Sequence, residues 1–244
     1  MDKTMIPILM YHSIQEVPRS EVMKSLHVKP SSFALQMQLL RLLGYRGCSV
    51  SEATNALQTS SSERLVGLTF DDGYENFFVN ALPVLKRLRF SATVYCVSDL
   101  IGTSNVWDHN SGISHNNLMS EKQIKMCLAD GIEIGCHSAT HKSLPSATEH
   151  LSQEICAARW ELERRFDTSV STFCYPYGHF NSAVMKAVAE AGFTSATTMI
   201  RSRATSTDSN LLLPRIPVTW HTTAAHFLLK ILTGYEDRRR QQGA

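Results

Sequence analysis

The sequence predicts an α/β protein built around a parallel sheet. Apolar runs of five to seven residues alternate along the chain with longer segments of helical periodicity. The runs are nearly continuous in apolar character, as expected of parallel strands that are covered on both faces. The length of 244 residues fits one domain, because α/β barrels of this size are commonly undivided. The periodicity alone leaves the sheet either closed into a barrel or open.

The predicted elements follow one another in strand–helix order. Strands are predicted over residues 6–11, 65–70, 91–97, 132–136, 170–175, 193–199 and 213–219. A helix over 32–43 is expected to end at Gly44, and one over 182–191 to lie between Asn181 and Gly192. Capping boxes that begin at Ser120 and Ser146 predict two further helix starts. The Ser- and Thr-rich stretches 59–62 and 201–209 are predicted as loops.

Composition and charge narrow the class of protein. Charged residues make up 19% and the net charge is +2, so no nucleic-acid partner is predicted. No apolar run is long enough for a transmembrane segment and no signal peptide is visible. We therefore expect a cytoplasmic protein that can work at the inner membrane surface. The six cysteines form no C-x-x-C pair and are expected to be free thiols.

A single domain is expected over 1–244, with its core at about 6–232. The only charge run is Arg238–Arg240, which is predicted as a solvated basic tail. Nothing in the sequence specifies an oligomeric state.

Two adjacent acids follow the strand predicted over 65–70. Asp71 and Asp72 precede Gly73, and adjacent carboxylates repel each other unless a cation lies beside them. One acid is suited to ligate a metal and the other to act as a base. The alternative is a simple turn, because Asp-Gly is a common turn signal.

Two histidines follow the strand predicted over 132–136. His137 and His141 are four residues apart, which places them on one face of a single helical turn and suits a metal ion. A chance pair among ten histidines is the alternative. Asp72 is the natural third ligand. Two imidazoles and a carboxylate favour zinc, with cobalt, nickel or iron as the other choices.

Further polar residues end other predicted strands. The turn Tyr175–Gly178 is able to aim a backbone N–H at an oxyanion, although a plain strand-to-loop turn explains it equally well. His12 ends the first strand, and a lone His is more often structural than catalytic. Cys136 is expected to point away from His137 and into the core. In β/α barrels the carboxyl ends of the strands build the active site, and these motifs all fall there.

The motifs together resemble the polysaccharide deacetylase family, also called carbohydrate esterase family four or the NodB-homology family. The resemblance rests on Thr69–Gly73 (TFDDG), on the His-Ser-x-x-His of 137–141, and on the Tyr-Pro-Tyr-Gly of 175–178, over about residues 6–232. The opening ILMYHSI, Asn105–Asp108 and Leu213–Ile216 resemble the branch that contains the biofilm poly-N-acetylglucosamine deacetylases. The resemblance implies a distorted (β/α) barrel of about seven parallel strands.

The same resemblance implies roles for individual residues. Asp71 is the implied general base, and Asp72, His137 and His141 are the implied ligands of a divalent metal ion. Tyr177 is the implied donor of a backbone N–H to the oxyanion. The implied reaction removes an N-acetyl group from an N-acetylated carbohydrate: a polymer, an oligomer or a lipid-linked precursor.

Two positions depart from the family pattern. Cys174 stands where the family often carries an Arg that pairs with the base, and Arg215 is the candidate replacement. The general acid is expected to be His12, as in the biofilm branch, with His221 and His226 as alternatives.

Trp107, Asp108 and Arg215 are expected to contact or support the substrate. The alternative functions are deacylation of another small N-acyl compound and a catalytically impaired sugar-binding module.

Overall fold

The computed structural model describes residues 5–59 and 61–240. The strands are β1 (Met5–Ile6), β2 (Ile8–Tyr11), β3 (Ser13–Ile14), β4 (His27–Val28), β5 (Arg46–Cys48), β6 (Leu65–Phe70), β7 (Thr93–Cys96), β8 (Glu133–Cys136), β9 (Thr172–Cys174), β10 (Ser195–Arg201), β11 (Ala204–Thr205) and β12 (Leu213–Pro217). The α-helices are α1 (Pro30–Leu42), α2 (Val50–Thr59), α3 (Leu82–Leu88), α4 (Glu121–Ala129), α5 (Ala158–Phe166), α6 (Ser182–Glu190), α7 (Ala224–Leu232) and α8 (Asp237–Arg240). All seven predicted strands are present.

Seven parallel strands close into a barrel. Their order is β2-β12-β10-β9-β8-β7-β6, and β6 pairs again with β2 to complete the ring. The barrel is distorted because β5 pairs with the first half of β6, while β7 pairs with its second half. The pairing of β10 with β12 is also irregular, with a register shift between Thr197 and Arg201. The predicted distorted (β/α) barrel of about seven parallel strands is therefore confirmed.

Strand alternation separates an inner layer of side chains from an outer one. Along β2, Ile8 belongs to a small inner cluster with Tyr95, whereas Leu9 and Tyr11 belong to the large cluster that the helices cover. The interior is so tight at β8 that a Cβ on Gly135 would lie 2.5 Å from the Tyr95 ring. Both faces are therefore buried, which explains the continuous apolar runs in the sequence.

Most of the predicted helix ends are confirmed. Gly44 takes φ +77° after α1, and Tyr45 N–H donates to Leu40 O at 2.9 Å as in a Schellman motif. Ser120 forms the predicted capping box at α4, and the Asn181 side chain caps α6.

The capping box predicted at Ser146 is wrong. Pro145 favours a short 3-10 turn over Leu144–Ser146, which Ser146 ends by donating its N–H to Ser143 O.

The loop predicted over 59–62 is only partly described, because Thr59 ends α2 and position 60 lies outside the described residues. The stretch 201–209 is not entirely loop. Within it, β11 pairs antiparallel with β1.

The packed part of the chain extends beyond residue 232. Glu236 is fully buried and accepts hydrogen bonds from Arg201 and from Lys230. The basic run Arg238–Arg240 is exposed, as predicted, but it belongs to the short helix α8, and Arg240 pairs with Asp208. Across the described residues, the helices are too short or too polar to span a bilayer.

Candidate active site

The polar residues that the sequence singled out lie at one end of the barrel. They belong to several strands of the barrel: His12 follows β2, Asp71 and Asp72 follow β6, and His137 follows β8. Cys174 is the last residue of β9, and Arg215 lies within β12. Because all seven strands are parallel, their carboxyl ends meet at the same face. The side chains of these residues are buried, apart from that of His12, which is partly exposed.

A left-handed turn sets the directions of the two adjacent acids. Asp71 continues the ladder of β6, and its N–H donates to Tyr11 O at 3.0 Å. Asp72 and Gly73 then take φ +72° and +71°, a region that costs a non-glycine residue about 1–2 kcal/mol but that Asp tolerates better than most. The Asp-Gly turn and the functional pair are therefore the same feature, since the turn brings the second carboxylate to the barrel end.

The two histidines do not lie on a helical turn, so that prediction is wrong. Ser138 and His141 both take positive φ, +64° and +62°, which breaks the helical path after one residue. Ser138 Oγ accepts the His141 N–H at 3.0 Å and closes the loop. His137 Nδ1 lies 2.8 Å from Cys174 O, which can only accept, so Nδ1 carries the proton and Nε2 keeps its lone pair.

Asp72, His137 and His141 converge on one point. Asp72 Oδ1 lies 3.4 Å from His137 Nε2 and 3.2 Å from His141 Nε2, and all three residues are buried. These contacts lack hydrogen-bond geometry, so Oδ1 is a buried acceptor with no donor among the described residues. Such an orphaned acceptor is costly unless a cation lies beside it. The donor set of two nitrogens and one oxygen fits a divalent ion with open coordination positions.

Aromatic rings hold His141 in place. Trp107 stacks on the imidazole with 4.3 Å between ring centroids, and Tyr177 packs against it edge-on at 4.7 Å. Tyr177 takes φ +59°, and Gly178 follows at +69°, where a Cβ would lie 2.7 Å from Met199. The Tyr-Pro-Tyr-Gly turn thus brings Tyr177 beside a candidate ligand.

Arg215 takes the place of the missing third-motif Arg as the partner of Asp71. Its Nη1 lies 2.6 Å from Asp71 Oδ1 and its Nη2 2.8 Å from Oδ2, a bidentate pair. The other three N–H groups donate to Thr198 O, Thr69 Oγ1 and Cys174 Sγ, so all five are used. Burial works to raise the pKa of Asp71, but the guanidinium holds it below its ordinary value.

The charge of Arg215 makes one of two possible groups of metal ligands unsuitable for a cation. Asp71, His137 and Cys174 lie as close together as the set that contains Asp72. The guanidinium contacts both the carboxylate and the sulfur of that first group, so a second cation there would meet direct repulsion. The set with Asp72 is the better metal site.

Of the three histidines considered as the general acid, His12 lies against the base. His12 Nε2 is 3.7 Å from Asp71 Oδ2, with the side chain 20% exposed. His226 lies on α7 and packs against Tyr235, and His221 is exposed in the turn before that helix.

Two residues beside the site were not predicted as site residues from the sequence. Tyr74 is buried beside the acids, and burial together with the charges of Asp72 and Asp108 raises its pKa well above the ordinary value. Asn105 is buried and donates to Asp108 Oδ2 at 3.1 Å. Neither belongs to a spacing pattern, although Asn105 opens the segment 105–108 that carried part of the family resemblance.

The predictions for the cysteines agree with the structure. All six are free, and five are buried while Cys156 is exposed. Cys136 belongs to the outer cluster under the helices, on the opposite side of the strand from His137.

The structure places a buried Asp–Arg pair beside an Asp-His-His cluster at the end of a (β/α) barrel. The family model for polysaccharide deacetylases matches residues 58–196, which is more than half of the chain. The chain therefore belongs to the polysaccharide deacetylase family and is a hydrolase of carbon–nitrogen bonds other than peptide bonds.

Individual relatives cover nearly the whole chain. The protein YxkH of Bacillus subtilis (strain 168) is 29% identical over 217 residues, covering 88% of this chain and 71% of that protein. The poly-β-1,6-N-acetyl-D-glucosamine N-deacetylase of Staphylococcus epidermidis is 26% identical, covering 90% and 77%. Among solved structures, the Streptococcus pyogenes deacetylase PplD in complex with acetate superimposes with a TM-score of 0.82 at 25% identity, covering 94% of this chain and 99% of that one.

Proposed function

We propose that this protein removes the N-acetyl group from an amino sugar in a polymer, an oligomer or a lipid-linked precursor, with the help of one divalent ion. The observation that carries the proposal is the pair of Asp71 and Arg215 lying directly beside the cluster of Asp72, His137 and His141. The Asp71 carboxylate, paired with Arg215, is placed to act as a base. The neighbouring ligand set is placed to hold a metal ion, so the two groups can act on the same substrate.

Asp72, His137 and His141 would hold the ion. When bound, a divalent ion supplies Lewis acidity toward the acyl carbonyl and toward the attacking water. Zinc suits two imidazoles and one carboxylate best, with cobalt, nickel or iron as alternatives. The Nδ1 proton of His137, fixed on Cys174 O, keeps Nε2 free for this role.

Asp71 would take the proton of the attacking water. The guanidinium of Arg215 keeps this carboxylate ionised and fixes its plane, so that it is ready to accept a proton without reorganising. His12 would hold a proton for the departing amine, because an amide nitrogen leaves poorly without one. Its Nε2 is close enough to Asp71 for both groups to reach the same substrate. The backbone N–H of Tyr177 would donate to the oxyanion.

Two relatives support the choice of substrate class. The Staphylococcus epidermidis protein is named for the deacetylation of a poly-N-acetylglucosamine, and the Streptococcus pyogenes deacetylase was solved with acetate, the product of such a reaction. The impaired-module alternative loses its main argument here, because it rested on the missing Arg, and Arg215 supplies that pairing. Deacylation of another small N-acyl compound keeps the same site and differs only in substrate.

The test is turnover by the metal-loaded protein. A panel of N-acetylglucosamine oligomers, lipid-linked amino sugars and small N-acetyl amides is incubated with it, and released acetate and free amine are measured. We expect equal amounts of both products from the sugars and little from the amides. Chelator-treated protein and the Asp71→Asn variant are the controls. Sugar binding without acetate release would favour the impaired module, and turnover confined to the small amides would replace the carbohydrate assignment.

A further inference from the structure

Asp108 is a buried acid near the candidate metal site. It closes the 3-10 turn Val106–Asp108 and is 9% exposed. The neighbouring Trp107 stacks on His141, which ties this turn to the candidate metal site. Asp108 is close enough for the charge of Asp72 to raise its pKa, and its own charge raises the pKa of Tyr177.

One oxygen of this carboxylate is fixed and the other is open. Oδ2 accepts a hydrogen bond from Asn105 Nδ2 at 3.1 Å. Asn105 is itself held, because its Oδ1 accepts the Asn116 N–H at 2.8 Å and its Nδ2 also donates to Ser114 O. Among the described residues none donates to Asp108 Oδ1, and this atom is not among the enclosed polar atoms without a partner. Oδ1 therefore keeps contact with solvent, while Asn105 holds the other oxygen in place.

The fold itself gives no reason for this charge. Across the described residues Asp108 forms no ion pair, and it lies outside both groups of potential metal ligands. Burial raises the pKa of Asp108 above its ordinary value, more than the hydrogen bond from Asn105 lowers it, and the charge of Asp72 adds to the rise. A buried acid next to another acid destabilises the folded chain. A residue of this kind is expected where a ligand supplies the missing donor.

We propose that Asp108 binds a hydroxyl group of the amino sugar whose N-acetyl group is hydrolysed. This inference deepens the proposed deacetylation and rests on it. Sugar hydroxyls next to the acylated nitrogen are O–H donors, and a hydrogen bond from O–H to a carboxylate is short and strong. The exposed Tyr177 ring, which also packs against His141, offers an apolar surface for the sugar ring. The site would then select hydroxylated N-acetyl sugars over N-acyl compounds without hydroxyls.

The experiment compares two substrates in four proteins. The proteins are the wild type, Asp108→Ala, Asp108→Asn and the control Asp99→Asn, whose acid is exposed in the 3-10 turn Ser98–Leu100 that follows β7. The substrates are an N-acetylglucosamine oligomer and an aryl acetate ester without hydroxyl groups. Asp108→Ala is expected to lower kcat/KM on the oligomer about 10- to 100-fold, the range for a hydrogen bond to a charged group. Its loss on the ester is expected to be at least about tenfold smaller by the same reasoning.

The other variants separate binding from structural support. Asp108→Asn keeps an acceptor oxygen and is expected to recover part of the lost rate, while Asp99→Asn matches the wild type on both substrates. Metal content is measured in all four proteins. Equal losses on oligomer and ester, or no loss on either, would overturn the inference.

A binding arm keeps this test apart from the test of the proposed function. Affinity for the same oligomer is measured by calorimetry, with the Asp71→Asn substitution present in every protein so that no turnover intervenes. If the double variant Asp71→Asn with Asp108→Ala binds the oligomer more weakly than Asp71→Asn alone, the inference is supported even if the wild type releases no acetate. Unchanged affinity together with unchanged kcat/KM contradicts it, whatever the reaction proves to be.

Discussion

We expect the replacement of Arg215 to lower the stability of the folded protein strongly. Its guanidinium is 1% exposed and uses all five N–H groups, two of them on the carboxylate of Asp71. Arg215→Met keeps most of the side-chain volume but leaves a buried carboxylate without a partner. Removing one member of a buried pair costs about 3–5 kcal/mol, a large part of a typical folding free energy of about 5–15 kcal/mol.

A double-mutant cycle separates this pairing from lost packing. The double variant Arg215→Met with Asp71→Asn removes both charges, and we expect it to be more stable than Arg215→Met alone. The free energy of unfolding of metal-free protein is measured by urea denaturation for all four members of the cycle. Additive losses, with a coupling below about 0.5 kcal/mol, would refute the reasoning.

The pH dependence of the same measurement gives a second check. The folded-state pKa of Asp71 is lowered by Arg215, so the stability that the pair contributes is present above the unfolded pKa of about 3.9 and is lost as the pH falls through the folded value. The difference between wild type and Arg215→Met is therefore expected to be largest near neutral pH and to shrink in acid. A difference that stays constant from neutral to strongly acidic pH would mean that Arg215 acts by packing alone.

Three further predictions concern the surrounding groups. Replacing His137 or His141 with Ala should lower metal content and acetate release together, because each contributes one nitrogen to the ligand set. Full metal content in the double variant would contradict this. His12→Ala should lose most of its rate on an N-acetyl sugar but much less on an acetyl ester, whose oxygen leaving group needs less help from an acid, and equal losses would move the acid role to another residue. Asp108→Asn should raise the Tm of the metal-free protein near neutral pH but not near pH 3, because the cost of a raised folded pKa begins as the pH rises past the unfolded pKa of about 3.9 and is complete above the folded value; a Tm gain independent of pH would rule out the charge as the cause.

The fold was largely predictable because its strands are buried on both faces. A strand such as β6, with six buried residues in a row, leaves a continuous apolar run in the sequence. The strand β5, which the sequence patterns did not predict, spans only three residues, Arg46–Cys48, and one of them is Gly47. A Cβ on Gly47 would lie 2.6 Å from Leu68, so close packing against the barrel dictates this residue, and no periodicity marks it.

The candidate site was predictable in its residue types but not in its backbone. The four-residue spacing of His137 and His141 singled out two histidines that do converge on Asp72, but two left-handed residues and not a helix bring them together. Sequence patterns average over common conformations, and positive φ at Ser, His or Asp is rare enough to escape them. Arg215 is named as the partner of Asp71 only through the family resemblance, because no spacing pattern in the sequence connects the two residues. Arg215 is 144 positions away, and only the closed order of the strands makes them neighbours.

Strand alternation determines which of these side chains point into the barrel. In β12, Leu213 belongs to the inner cluster and Ile216 to the outer one, so parity alone points Arg215 into the barrel. The same parity points Asp71 inward after Phe70, which lies in the outer cluster, and the two charges must then meet inside a closed barrel. Asp72 breaks the rule, because the next residue along a strand would point outward. The left-handed backbone of Asp72, at φ +72°, returns its carboxylate to the two histidines, and Gly73 continues the turn at φ +71°, a conformation that favours glycine.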